Sequence, residues 1–272
     1  MAVTKEQKAL YNSRVKPYKE CMNDLKKEIS TISGAAKRNT KLKAYMLVQS
    51  SILGIKMANT LVMMSRLSME IQSLKKEDDL NNARKEISAR LTDLTGVVGN
   101  EVDGSLTENQ EKLVQVRLLN VTQRLHLLQA FREAIGLVKA TMGDTSKWRW
   151  YFPDLHFKLV VVTKNLFDFK EFDKAKDPRE EFYRERQEML QFLIEEIRST
   201  AQEYRSKYEL STRQVDDLVP IRKLFELEKK VHILTGNKEE LGRTQTSLDA
   251  INEKIEAIMA EKKGGKKKKK KK

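Results

Sequence analysis

The chain has 272 residues, enough to bury a core as one or two domains, and its 34% charged and 39% hydrophobic residues exclude a wholly disordered polymer. Its formal net charge of +14 is concentrated at the ends. Residues 262–272 hold nine of the 53 Lys and Arg residues, and residues 1–43 hold eleven against four acidic ones. A single cysteine, Cys21, excludes an intramolecular disulfide framework and fits a reducing, cytoplasmic setting.

Eleven glycines and four prolines, beside abundant Leu, Lys, Glu, Ala and Met, favour long helices over a sheet. The opening residues, MAVTKEQKALYNSRVK, lack the apolar stretch of a secretory signal. Residues 4–31 read as a charged amphipathic helix, kinked or broken at Pro17, with Gly34 as its stop. The longest helical run covers 36–76. Tyr45, Val48, Ile52, Ile55 and Val62 mark one face; Leu53, Met57, Leu61, Met64, Leu67, Ile71 and Leu74 mark another. A helix apolar on more than one face belongs at the centre of a bundle. Its window Ala44–Met64 has the length of a membrane span but carries Gln49, Ser50, Ser51, Lys56 and Asn59. One central Lys costs about 2.5–3.5 kcal/mol in a bilayer, so a core helix is expected instead.

A helix over 78–95 should end near Gly96 and Gly99. Ser105-Leu-Thr-Glu108 has capping-box spacing and predicts a helix to about Met142, striped by Val114, Leu118, Val121, Leu125, Leu128, Phe131, Ile135 and Val138. The segment Lys147–Phe172 is the most irregular. Eleven of the eighteen aromatics lie between Trp148 and Phe192, which predicts an aromatic corner where two helical arms meet. Leu159–Val162 is β-branched but lacks a partner strand, so helix is expected there too. Asp177-Pro178-Arg179-Glu180 predicts a helix start, running to about Leu210. A helix over 212–235 should be interrupted by Pro220 and ended by Gly236. Asn237-Lys-Glu-Glu240 is another capping box, and the last helix carries Leu241, Thr244, Leu248, Ile251, Ile255 and Ile258. Those steps of three and four form a short coiled-coil seam.

Catalytic constellations are not found. His126, His156 and His232 are dispersed, with no H-E-x-x-H motif and no cysteine pair, so no metal site is expected. There is no Gly-rich phosphate loop and no nucleophile elbow. Glu195–Glu196 and Asp216–Asp217 are adjacent, so on a helix they diverge by about 100° and cannot face one substrate. The expectation is a protein that is not an enzyme, with no catalytic residues and no cofactor.

Candidate binding residues are basic. Lys262, Lys263, Lys266, Lys267, Lys268, Lys269, Lys270, Lys271 and Lys272 form a solvated tail that can hook a polyanion; a solubility element or an appended tag would look the same. Lys37, Arg38, Lys41 and Lys43 form a second cluster, placed at the start of the long second helix, where positive charge opposes the helix dipole. Trp148, Arg149, Trp150, Tyr151 and Phe152 interleave bases with aromatics. A packed corner or interface with its cations turned outward is expected there, rather than a stacking platform for bases. Leu241, Leu248, Ile251, Ile255 and Ile258 are the candidate coiled-coil seam, packed internally or against a second copy.

These observations predict an all-α protein: an elongated bundle or bent two-armed arrangement of about six to seven helices, with coiled-coil character near the C-terminus. The expected divisions are an N-terminal arm over 1–143, an aromatic junction with a C-terminal arm over 144–261, and a disordered tail over 262–272. The function expected is that of a non-enzymatic scaffold or adaptor. It would self-associate or bind partner proteins and be tethered by its basic ends to an acidic surface. The alternative is a nucleic-acid-associated protein holding the phosphate backbone through the same two clusters. A membrane surface is the less favoured partner, and no transmembrane span is expected.

Overall fold

The structure is a computed structural model that describes the backbone of residues 3–269 and the side chains of residues 3–261. The side chains of the lysine tail, Lys262 to Lys272, therefore lie outside the described residues. Among the described residues the fold is all-helical, with ten α-helices and no strand. The chain divides into two compact units. One joins Met1–Asn100 to Gln110–Leu166; the other joins Glu101–Asn109 to Phe167–Lys272.

The first unit contains α1 (Lys5–Arg38), α2 (Lys43–Gln72), α3 (Glu77–Val98), α4 (Gln110–Leu113), α5 (Val121–Met142) and α6 (Phe152–Leu166). A reciprocal cap starts α1: the Gln7 N–H donates to Thr4 Oγ1 at 3.1 Å and the Thr4 N–H to Gln7 Oε1 at 2.9 Å. Pro17 lies inside α1 without ending it, and the helix passes Gly34 and stops only at Asn39. Gly34 retains helical geometry with open space around it, so it has no reason to act as a stop.

The central helix of this unit is α2, packed against α1, α3 and α5. It is long and apolar enough to cross a membrane by length and composition. Here its buried positions include Val48, Leu53, Ile55, Leu61, Val62 and Met64. Small residues on the same helix let neighbours approach closely. A Cβ at Gly54 would stand 2.4 Å from Cγ of Arg90, so the α3 arginine crosses α2 through a notch that only glycine leaves open. Arg90 is then fixed by Glu86 at 3.0 Å, Asp93 at 3.0 Å and Ser50 Oγ at 2.6 Å.

The single helix expected over 105–142 is instead two. Ser105 Oγ accepts from the Thr107 N–H at 3.4 Å, a local turn rather than a cap. One turn of α4 and a short 3₁₀ segment, Val114–Val116, follow. The real start of α5 is a second capping pair. Asn120 Oδ1 accepts from the Gln123 N–H at 2.9 Å, and Gln123 Oε1 accepts from the Asn120 N–H at 3.1 Å. Val114 and Leu118, read as core positions, are therefore 60% and 74% exposed. The run Leu159–Val162 is helical and wholly buried within α6.

The second unit contains α7 (Phe169–Lys174), α8 (Tyr183–Lys207), α9 (Leu218–Thr235) and α10 (Lys238–Lys269). Asp177 does not start a helix. Its carboxylate accepts from the backbone N–H and the guanidinium of Arg179, closing a turn, and α8 begins at Tyr183 after the left-handed Phe182, φ +61°. Pro220 sits in the first turn of α9, where a missing N–H forfeits no helix bond, so it interrupts nothing. Residues 101–109 join this unit because α9 holds them: Lys223 Nζ meets Asp103 Oδ2 at 2.9 Å and Lys230 Nζ donates to Gly104 O at 2.8 Å. Ten helices rather than six or seven result chiefly from these extra breaks at 105–120 and 167–183.

Candidate functional site

Lys37, Arg38, Lys41 and Lys43 are brought together on the connection between α1 and α2, and all four are exposed. Asn39 shapes this connection. Its backbone N–H donates to Ala35 O at 3.0 Å, and its Oδ1 accepts from the Leu42 N–H at 3.2 Å. Lys37 and Arg38 belong to the last turn of α1, not to the start of α2. There they face the carbonyl end of a helix, which favours positive charge. Only Lys41 and Lys43 oppose the dipole of α2, which begins at Lys43 with no side-chain cap and no acidic residue in its first turn. Among the described residues none of the four forms an ion pair, and the only side-chain bond they make is from Arg38 Nε to Gly34 O at 3.3 Å. The connection therefore carries four exposed cations beside an uncapped helix start.

Trp148, Arg149, Trp150, Tyr151 and Phe152 belong to the first unit; Phe167, Phe169 and Phe172 belong to the second. Phe152 is buried, while Trp148 and Tyr151 pack 5.5 Å apart and share one cation from α3. The Arg84 guanidinium lies 4.5 Å from the Tyr151 ring and 5.3 Å from the Trp148 ring. Asn81 Oδ1 accepts from Arg84 Nε at 3.2 Å and Nη2 at 2.9 Å. Burial disfavours the charged form of Arg84 and lowers its pKa; the rings and Asn81 offset that cost. Lys147 lies over Trp148 and Arg149 over Trp150, so the protein's own cations already occupy faces a base would need. Arg84 is separated from this segment by more than sixty residues and has no local signal in the sequence.

Leu248, Ile251 and Ile255 of the candidate seam are buried within the second unit, where α10 packs against α9; Leu241 and Ile258 are half-buried. Among the described residues, no group of three His, Cys, Asp or Glu side chains comes together as a metal site.

A polar cluster in the second unit is invisible in the sequence. Arg198 of α8 donates Nε to Glu228 Oε1 of α9 at 2.5 Å, and its Nη2 to Glu240 of α10. Glu240 also receives Arg243 Nη1 at 2.7 Å. His232 Nε2 lies 3.4 Å from the same Glu228 oxygen. Beside this cluster is a cleft of about 340 Å³, also lined by Arg205, Phe225, Thr244 and Ser247. Its charges are largely matched internally, which suits a clamp across three helices better than a ligand site. The expected capping box at Asn237 is half formed. Asn237 Oδ1 accepts from the Glu240 N–H at 3.2 Å, but the Glu240 carboxylate serves the arginines instead.

No curated protein and no solved structure matches the chain. The model of the TP0443 family matches residues 7–259, and the chain belongs to that family.

Proposed function

We propose that the protein is a non-enzymatic helical scaffold or adaptor, working in the cytoplasm, that is held to a polyanion or acidic surface by the α1–α2 connection. The observation that carries this reading is the set of four exposed cations, Lys37, Arg38, Lys41 and Lys43, with no ion-pair partner among the described residues. Some other exposed cations are matched, such as Lys16 with Glu20 and Arg243 with Glu239. Unmatched cations of this number repel one another and are relieved by an external anion. The lysines of residues 262–272 supply a second, independent attachment, so two modest contacts act together on one surface. The body between them is the spacer. Its assembly with partner proteins or with a second copy would use exposed apolar positions such as Leu10, Met69 and Leu74.

A nucleic-acid-associated protein is the second reading, favoured by the same cations because phosphate backbones bind through counterion release. Size-exclusion chromatography with light scattering separates the two. The full chain and a 1–261 truncation are compared at low and high salt, with and without added duplex DNA. Equal, salt-resistant oligomers of both forms support the scaffold. Monomers of both, with only the full chain co-eluting with DNA at low salt, contradict it.

A further inference from the structure

A groove of about 470 Å³ between α2 and α5 has a ligand chemistry of its own. Its floor is apolar: Val48 and Ile55 of α2 and Leu127 of α5 are buried at its base, and Ile52 is 45% exposed along its edge. The lined part of α2, from Val48 to Lys56, is about 12 Å long. Three polar side chains reach it, and none is a carboxylate. Lys56 is exposed and has no ion pair among the described residues. Gln123 has its Oε1 committed to the Asn120 N–H, which leaves its amide NH₂ as the available group. His126 is exposed at the same rim. An apolar trough with a few convergent polar groups is the usual form of a small-molecule site, and this volume falls within the range such sites occupy. Here the polar groups are one cation and neighbouring donors, so the complement is an anion carried on an apolar body.

We infer that this groove binds a medium-chain carboxylate, its chain along Val48, Ile52, Ile55 and Leu127 and its head group at Lys56. The site is independent of the tethering surface on the α1–α2 connection. Affinity comes from burying the chain, because an exposed ion pair contributes little. Lys56 supplies the preference for an anion.

The test is titration of the full chain with dodecanoate, followed by backbone amide chemical shifts, with dodecanol and dodecyltrimethylammonium as uncharged and cationic controls. Saturable one-to-one shifts over residues 48–56 and 123–130 are expected, with the cation binding at least about tenfold more weakly. Lys56→Glu should weaken dodecanoate roughly tenfold and spare dodecanol; Ile52→Glu should weaken both. Both positions are exposed on a helix, so circular dichroism should be unchanged. Uptake at the lysine-rich end would leave these amides unmoved and ignore both substitutions, and that result would overturn the site. So would equal binding of the cation, or saturable shifts from an acidic amphipathic peptide but not from dodecanoate, which would make the groove a docking place for a partner helix.

Discussion

Arg198 and Glu228 meet at 2.5 Å across α8 and α9, although the arginine side chain is 48% exposed and the glutamate side chain 3%. The asymmetry decides what the pair does. The Glu228 side chain is almost wholly buried, so its carboxylate relies on Arg198 for a strong hydrogen-bond partner, with His232 Nε2 3.4 Å away. Arg198 in turn reaches Glu240 of α10, so one guanidinium ties three helices of the second unit.

Removing Arg198 should therefore cost more than a surface ion pair and less than a fully buried one. Arg198→Ala is expected to destabilise by about 2 kcal/mol, measured by urea unfolding at neutral pH. Arg198→Met combined with Glu228→Leu should recover part of that loss, because the stranded carboxylate is gone. A double variant no better than Arg198→Met alone would show that the pair is not the link.

Gly54 and Gly136 lie in helix interiors and should respond in opposite directions. Gly54→Ala would drive its Cβ to within 2.4 Å of Arg90 Cγ and 3.0 Å of Glu86 Oε1. A loss of about 1–3 kcal/mol is expected. Gly136, in α5, has nothing within 4 Å of an added Cβ. Gly136→Ala should add about 0.5–1 kcal/mol, because alanine loses less backbone freedom in a helix. Thermal unfolding of both variants checks the pair.

Asp103 gives the attachment of residues 101–109 a pH dependence. The hydrogen bond from Lys223 holds its carboxyl below the usual aspartate range, with the Lys223 and Lys230 charges adding to the effect. A folded pKa below the unfolded one contributes stability that is complete above the ordinary aspartate value, about 3.9, and is lost as pH falls through the lowered folded value. The protection of amides over residues 101–109, taken as the exchange rate relative to the intrinsic rate at each pH, should fall on acidification through that window. Asp103→Asn should remove this step, while the bonds from Lys230 to the Asp103 and Gly104 carbonyls persist.

The sequence made the helices legible where periodicity was long and the ends were marked. The core identity of α2 follows from its two apolar faces, and the start of α10 from Asn237. Breaks were harder to read, because a capping motif reports potential hydrogen bonds and not which one wins. Ser105-x-x-Glu108 and Asn120-x-x-Gln123 both have the spacing of a cap, and only the second starts a long helix. Asp177 with Pro178 likewise resembles a helix start, yet the Arg179 guanidinium takes the Asp177 carboxylate into a turn. The basic cluster was visible as composition, but its division between the end of α1 and the start of α2 depended on where Asn39 ended the first helix. The aromatic partners of Arg84 and the partners of Arg198 and Gly54 come from segments distant in sequence. Contacts of that separation leave no trace in local pattern.

Arg84 shows how such a contact can be read in solution. Arg84→Lys keeps the charge but loses the planar group that faces Trp148 and Tyr151 and bonds twice to Asn81. A change in tryptophan emission with retained helix content is expected, together with a stability loss of about 1–2 kcal/mol.

The proposed polyanion-binding role of the α1–α2 connection is tested most directly by the salt dependence of binding. Duplex DNA serves as a uniform polyanion, titrated with the full chain and with a Lys37→Gln, Arg38→Gln, Lys41→Gln, Lys43→Gln variant over a range of salt concentrations. Because the lysine tail is present in both, only the difference matters. The slope of log affinity against log salt is expected to become shallower by about 3.6 in the variant, as when roughly four phosphate contacts are lost. Identical slopes would mean that these cations touch no polyanion, and the tethering role of the connection would fall.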